Sequence, residues 1–348
     1  MADKMKASFL YGPNDLRIEE TDVPELKKHE VLIKVHANGV CPSGLSSVRR
    51  GQQWGPPGTR IPGVPGHEFA GEVVKLGPEV EGVSIGDRVA PNALMDCGHC
   101  HYCRIGRSNF CKHPSFLPYF GYAHYVKAMD HVAYKIPEGL SYEEASFSEP
   151  LACVLNGIEL ANIRPASDVL IIGAGPIGLM HLQLAKNVCG ARVVVSDLID
   201  KRLEVAKNLG ADEVINPSKE DIVSRVKELT EDRGADCVIV AVSNTTVQAQ
   251  ALDLVGKCGT VEYFAGIHQK EPPQIQINPN TIHYGEVHLI GAHNKTDLQF
   301  RQALKLLGTG HVKTKPLISH RLPLDRIMEG MDIVEKRQGL KVIIQPNK

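Results

Sequence analysis

The sequence predicts an α/β protein in two parts, one mostly β and one a doubly wound parallel sheet, and three observations carry that expectation. First, the run Gly173-Ala174-Gly175-Pro176-Ile177-Gly178 stands between an apolar strand-like stretch, 168–172, and a helix-like stretch that reaches Val188. Second, apolar runs at 191–196, 213–216, 236–242, 259–265 and 287–291 alternate with helical stretches at 201–209, 220–230 and 245–255, which makes a sheet of six strands. Third, the chain before this region has a different period: Val31, Ile33 and Val35 alternate with polar residues, 69–76 reads as another strand, and Gly and Pro recur often.

After Gly291 come a helix (297–307), an extended piece (317–322), a second helix (324–336) and a last strand (340–344). These are too few for a domain of their own, so they are expected to rejoin the first part. The expected boundaries are 1–155 for the mostly β domain, 156–292 for the doubly wound domain and 293–348 for the returning segment. A chain of 348 residues has the length for two such cores.

The glycine run carries chemistry because of its context. Gly173 permits the tight turn, Gly175 lets the backbone approach a pyrophosphate, and Gly178 lets the helix pack on its strand; Pro176 and Ile177 open that helix, whose amides face the phosphate. The next strand ends in Asp197, nineteen residues after Gly178, where a carboxylate can hold both ribose hydroxyls of NAD and repel a 2′-phosphate. NAD rather than NADP is therefore the expected cofactor, with Arg202, five residues on, able to soften the discrimination. The plainer alternative is an ordinary strand-to-helix turn beside a surface Asp.

A second signal is Cys97-Gly98-His99-Cys100-His101-Tyr102-Cys103, then Cys111. A clustered turn supplies three thiolates and a short loop returns the fourth, which suits a closed tetrahedral zinc with a structural role. The spacing departs from iron–sulfur runs, the other metal reading. His99, His101 and His113 flank this lobe and read as surface residues; Cys153, Cys189, Cys237 and Cys258 lie on apolar stretches and read as core thiols.

Composition excludes several classes of partner. Lys and Arg number 39 against 40 Asp and Glu, a formal net charge of -1, so no bulk charge points to nucleic acid or an acidic membrane surface. Apolar runs such as 169–172 are far too short to span a bilayer, and the charged N-terminal ten residues do not read as a signal peptide. Nine cysteines without a secretory signal point to a reducing compartment, and the cytoplasm is expected.

Three short pieces offer ligands for a metal that does chemistry: Cys41, the pair His67-Glu68, and Glu149. A catalytic zinc keeps an open position in which it polarises an alcohol oxygen and eases hydride release to a nicotinamide. Taken singly, Cys41 also reads as a buried thiol and His67 as a satisfied core histidine.

Together these motifs resemble the zinc-dependent medium-chain dehydrogenases, most of all the sorbitol, polyol-phosphate and threonine dehydrogenase branch. The resemblance rests on Gly66-His67-Glu68, Gly71-Glu72-Val73-Val74, the GVxxGDRV turn at 82–89, the cysteine lobe, Glu149-Pro150-Leu151-Ala152, the glycine run and Lys341-Val342-Ile343. It implies a GroES-like β-barrel catalytic domain completed by the C-terminal segment, a Rossmann domain, NAD, two zincs per chain, and a homodimer or homotetramer. Carried over by position, Cys41 and His67 are zinc ligands, with Glu68 and Glu149 as alternating ligands.

Near Cys41 the family's usual run is Cys-Gly-Thr/Ser-Asp-x-His, whereas this chain has Cys41-Pro42-Ser43-Gly44-Leu45-Ser46. Ser43 keeps the hydroxyl that takes the alcohol proton. Gly44 replaces the Asp that orients the zinc-bound His, a change expected to weaken metal affinity about 10- to 100-fold, and Ser46 replaces the His that passes the proton to solvent. The pocket is expected to differ as well: the loop after Cys111 is short, and His124 stands where relatives usually carry Glu. Arg49-Arg50-Gly51-Gln52-Gln53-Trp54 reads either as a reach towards an anionic or polyhydroxylated substrate or as a solvated loop.

The functional expectation is an oxidoreductase that interconverts a secondary alcohol, on a polyol, sugar derivative or hydroxy amino acid, with its ketone, using NAD. A rival reading is a non-catalytic NAD-binding sensor or interaction protein of the same fold. Gly44 and Ser46 favour the rival; the intact Cys41, His67, Glu68 and Glu149 oppose it.

Overall fold

The computed structural model describes residues 3–52, 59–267 and 273–348. It divides into two compact units, Met1–Ala152 with Thr296–Lys348, and Cys153–Lys295.

The first unit opens with the antiparallel pair β1 (Lys4–Gly12) and β2 (Asp15–Asp22). There follow β3 (Glu30–Gly39), α1 (Pro42–Arg50), β4 (Glu68–Leu76) and β5 (Arg88–Pro91). The cysteine lobe contains the small ladder of β6 (Leu94–Met95) and β7 (Ser115–Phe116) with α2 (His101–Arg104) between them. Then come β8 (Tyr125–Met129), β9 (Ala133–Lys135), α3 (Tyr142–Ala145) and α4 (Ser148–Ala161).

In the second unit β10 (Asp168–Ile172), α5 (Pro176–Asn187), β11 (Arg192–Ser196), α6 (Asp200–Asn208), β12 (Glu213–Ile215), α7 (Ile222–Leu229), β13 (Ala235–Val240), α8 (Thr245–Gln250), β14 (Val255–Tyr263), α9 (Pro279–Gly285) and β15 (His288–Gly291) alternate. The chain returns to the first unit with α10 (Asp297–Gly308), β16 (Ile318–Pro323), α11 (Ile327–Glu335) and β17 (Lys341–Gln345).

The main sheet of the first unit runs β16-β17-β3-β4-β5-β9, with β8 paired to the first half of β3. Strand β3 organises it because Val31, Ile33 and Val35 are fully buried at every second position, as a strand with one face on a core requires. The last strand, β17, lies antiparallel to the second half of β3, Ile343 opposite Gly39, so the C-terminal segment lies in this sheet. Its five residues are all buried, and Val342 and Ile344 join a core with Phe69, Phe120 and Tyr122.

The second unit holds a six-stranded parallel sheet in the order β12-β11-β10-β13-β14-β15, a doubly wound arrangement with its switch point between β10 and β13. Strand β10 is buried along its length, which is why it reads as an unbroken apolar run rather than an alternation.

Two expectations differ in detail. The helix expected over 245–255 stops as α8 at Gln250 and continues as a single 3-10 turn, because β14 begins at Val255 and pairs with β13 from Ala235 onwards. Within β14, Cys258 is exposed with φ 59, so it is not a core thiol; the apolar residues around it belong to a strand that turns Lys257 and Cys258 outwards. Cys237 is buried as expected, while Cys153 and Cys189 are half-buried. Among the described residues no helix is long and apolar enough to cross a membrane.

Candidate metal centres and dinucleotide site

In the cysteine lobe, α2 starts directly after Cys100 and carries Cys103 one turn on, while the 3-10 turn Ser108–Phe110 delivers Cys111 back to the start of the lobe. The four sulfurs lie within 4.8 Å of one another, with Cys100 to Cys103 at 3.5 Å, and Cys97 to Cys103 and Cys100 to Cys111 both at 4.0 Å. Four thiolates about 2.3 Å from a tetrahedral zinc stand about 3.8 Å apart, so the quartet has the dimensions of such a site. Backbone amides already point at the sulfurs: Cys97 N–H and His113 N–H donate to Cys111 Sγ. The amides of Lys112 and Cys103 bring the Cys100 thiol down to about 6, and that of His99 lowers Cys97. Burial and the neighbouring sulfurs push Cys103 up to about 12. This crowding of sulfur charge is what a divalent ion relieves. His99, His101 and His113 are exposed.

The second group forms where two pieces of the first unit converge. Cys41 caps α1 at its N-terminus, His67 and Glu68 lead into β4, and their ligand atoms all lie within 4.8 Å. Burial opposes a charge on His67, yet Cys41, Glu149 and Glu68 together raise its pKa to about 9, so this pocket's own field favours a cation. Glu149, buried in the first turn of α4, acts on His67 through that field and lies outside the three-residue ligand group. Ser43 Oγ lies 3.1 Å from Cys41 Sγ.

The surroundings answer the question raised by Gly44. His67 Nδ1–H donates to the Pro65 carbonyl at 2.9 Å, so Nε2 is the nitrogen that would give up its proton to a metal. Gly44 itself packs on Pro65, where an added Cβ would stand 3.1 Å from the ring and 3.3 Å from that carbonyl oxygen. A backbone carbonyl therefore performs the orienting role in this chain.

Sequence reasoning assigned no role to three other residues here. Lys341 on β17 forms an ion pair with Glu68, and both side chains are almost wholly buried. Gly39 makes the room, since a Cβ there would collide with the Glu68 carboxylate and the Lys341 stem. Buried Tyr122 donates its hydroxyl to the Gly39 carbonyl at 3.1 Å, and burial, Glu68 and Cys41 keep that hydroxyl protonated. The available signal was one Lys directly before the apolar Val342-Ile343-Ile344 of the closing strand.

The structure also places two stretches considered for the pocket. The Arg49 guanidinium binds Asp332 on α11 at 2.7 Å and Glu335 on the same helix. Arg50 turns back to the Ser46 carbonyl and to Gln52, while Gln53 and Trp54 lie outside the described residues. The His124 ring accepts from the Lys6 amide, and its carbonyl accepts from Val35 and Asn347, so its partners belong to β1, β3 and the C-terminus rather than to the ligand group.

In the second unit, Gly173 has φ 109 and follows β10, and Gly175 caps α5, whose first residue is Pro176. A Cβ on Gly178 would run into the Gly173 carbonyl, whereas above Gly175 the first atom met is Arg202 Nη1 at 3.9 Å. The open cradle thus sits at Gly175, the position that must admit a phosphate, beside Ile177 in the first turn of α5. Asp197 Oδ2 accepts the Ala174 amide at 2.7 Å and Oδ1 accepts the Ile199 amide at 2.9 Å, which ties the acid to the glycine turn. Arg202 Nη1 stands 3.9 Å from Asp197 Oδ2.

Residues 176–309 match the family model of zinc-binding dehydrogenases and residues 27–138 that of the alcohol dehydrogenase GroES-like domain. The chain is 33% identical to sorbitol dehydrogenase of Bacillus subtilis strain 168 over 99% of its own length and 98% of that protein's. It is 32% identical to L-threonine 3-dehydrogenase of Bacillus licheniformis over 96% of each. A crystal structure from Sinorhizobium meliloti 1021, assigned as a zinc-binding dehydrogenase and bound to NADP, is similar with a TM-score of 0.90 at 29% identity, covering 99% of this chain and 100% of that one. With two cysteine-bearing donor groups, an open dinucleotide cradle and relatives over nearly its whole length, this chain is an alcohol oxidoreductase using zinc and NAD(P), and it belongs to the zinc-type medium-chain alcohol dehydrogenases.

Proposed function

We infer that the protein oxidises a secondary alcohol on a polyol, a sugar derivative or a hydroxy amino acid to the ketone, or runs the reverse reaction, with NAD as its dinucleotide and two zincs per chain. The observation that carries this reading is the convergence of Cys41, His67 and Glu68 within 4.8 Å, in a pocket whose field favours a cation, separately from the cysteine quartet. Bound there, zinc would supply Lewis acidity towards an alcohol oxygen, and the dinucleotide would supply the hydride acceptor.

The chain's own residues do the rest. Cys41 and His67 hold the metal, His67 kept in one tautomer by the Pro65 carbonyl. Glu68 and Glu149 are carboxylates that can enter and leave the ligand set, and Lys341 holds Glu68 back when it is not a ligand. Ser43 accepts the alcohol proton, and with Ser46 at the place of the usual His, that proton passes onwards through a hydroxyl or water. Cys97, Cys100, Cys103 and Cys111 hold a second, structural ion.

For the dinucleotide, Gly173, Gly175, Pro176, Ile177 and Gly178 shape the pyrophosphate turn. Asp197 favours the free ribose hydroxyls of NAD, with Arg202 tempering that preference. The thiol-rich composition supports a cytoplasmic location, and the family supports a homodimer or homotetramer.

The test is NADH formation by the zinc-loaded protein over sugar alcohols, their phosphates and L-threonine, with metal analysis alongside. Turnover on one of these classes with two zincs per chain is expected, and Cys41→Ala or His67→Ala should abolish it. One zinc per chain and no turnover on any class would favour the non-catalytic dinucleotide-binding reading.

A further inference from the structure

The interior of the second unit contains two polar side chains that neither the fold nor the chemistry described so far requires. His181 on α5 and Glu262 on β14 are both completely buried, and His181 Nε2 lies 3.9 Å from Glu262 Oε1. Neither Nε2 nor either carboxylate oxygen has a hydrogen-bond partner among the described residues. Gly157 on α4 completes the junction: a Cβ there would overlap Glu262 Oε1 and stand 3.2 Å from His181 Nε2, so glycine is what gives the pair its space. The Phe264 ring, just beyond β14, stands nearly perpendicular to the imidazole with centroids 4.7 Å apart.

The hydrogen bonds fix where protons must be. His181 Nδ1 is 3.0 Å from the Ile177 carbonyl, an acceptor only, so Nδ1 carries the proton and Nε2 is bare. A bare Nε2 facing a carboxylate would set lone pair against lone pair in a sealed, apolar place. A single proton on Glu262 removes that conflict, since Oε–H can then donate to Nε2 after a small rotation, and neither partner is charged.

We propose that Glu262 is a protonated carboxylic acid that donates to His181, and that this buried, uncharged pair holds the first turn of α5 against β14 and so positions the dinucleotide turn. The link to the cofactor is His181 itself, since the carbonyl it holds belongs to Ile177, inside the glycine run. Loss of the Glu262 proton would place a carboxylate against bare Nε2, push the imidazole from its place and release Ile177. Dinucleotide affinity is then expected to fall at alkaline pH.

The titration supports this assignment. Burial raises Glu262 to about 8 and lowers His181 to about 4, which favours the uncharged form of each at neutral pH. The titratable group facing the pair from β13 is Cys237, whose thiol burial and Glu262 push far up and keep neutral; Asp236 and Cys189 act on that thiol in turn. Opposite Glu262 in the sheet register are Ile239 on β13 and Ile290 on β15, and α4 presents Gly157.

The experiment uses the full-length protein and NADH. Infrared difference spectra at neutral pH should show a protonated-carboxyl stretch that is absent from Glu262→Gln, and NADH affinity should weaken about tenfold between about pH 7 and pH 9 in the unaltered protein. Glu262→Gln keeps an N–H donor towards His181 and cannot ionise, so its affinity should stay level over that range. If Gln is not tolerated at 262, the paired variant H181L/E262L removes both groups together and should likewise level the profile. A level NADH profile in the unaltered protein, a variant whose affinity falls in parallel with it, or a neutral-pH spectrum without the protonated carboxyl would each overturn the proposal.

Discussion

Lys341 and Glu68 show how single side chains divide the work around the donor group. Both are buried, their charges meet, and Gly39 leaves the space in which they do so. Removing one partner of such a pair strands the other charge in the interior, at a cost of about 3–5 kcal/mol. Lys341→Met is therefore expected to destabilise the protein by at least about 3 kcal/mol in denaturant unfolding of the metal-free form, and a loss below about 1 kcal/mol would show that Lys341 does not restrain Glu68. Asp197 acts through both of its oxygens, each already holding one backbone amide of the glycine turn or the start of α6. Asp197→Ala should narrow the ratio of NAD to NADP efficiency and also loosen the turn. If kcat/KM for both dinucleotides falls with an unchanged ratio, Asp197 holds the turn without selecting the cofactor. Arg49 allowed two readings in sequence, a reach towards a substrate or a solvated loop; in the fold Asp332 and Glu335, almost three hundred positions away, occupy its charge.

At the level of elements, the cysteine lobe behaves as a self-contained clip. It has little regular structure, with one four-residue helix and a ladder of two-residue strands, so a metal held there would supply much of its order. Cys103→Ser is expected to lower zinc content by one equivalent and reduce the thermal midpoint, while NADH binding persists. Unchanged metal content would mean the lobe does not hold zinc. Helix α10 is set by the capping box of Thr296 and Gln299, in which each side chain bonds the other's amide. Thr296→Ala should cost about 1 kcal/mol in chemical denaturation. Helix α5 depends on the close approach of Gly178 to the Gly173 carbonyl, which leaves no room for a methyl group. Gly178→Ala should therefore cost about 1–3 kcal/mol and weaken NADH binding with it.

Across the whole molecule, the buried pair in the second unit gives stability a pH dependence whose sign can be worked out. Glu262 has a raised folded-state pKa, so its contribution is fully present below about 4.5 and is lost as pH rises to about 8. His181 has a lowered one, so its contribution is fully present above about 6.5 and is lost as pH falls through about 4. The two trends oppose each other between about 4.5 and 6.5, and only the Glu262 loss remains between about 6.5 and 8. Stability should fall there by roughly 2 kcal/mol, seen as a declining thermal midpoint that Glu262→Gln makes level. The doubly wound sheet, the glycine turn and the cysteine quartet were legible in the sequence because each is written in consecutive residues, as apolar runs, a local turn and a tight spacing. The donor group around Cys41 needed a family resemblance, because its parts are scattered and each alone suits an ordinary core. Cys258 was misjudged because apolar neighbours in a strand do not say which way a given residue faces. What the sequence determined by itself was therefore the local chemistry: which elements form, which thiols cluster, and where a dinucleotide turn begins. Only the tertiary structure decided the partners of buried polar groups, Lys341 for Glu68, Pro65 for His67 and His181 for Glu262. A buried polar group must find its counterpart through space, and nothing in chain order records that distance.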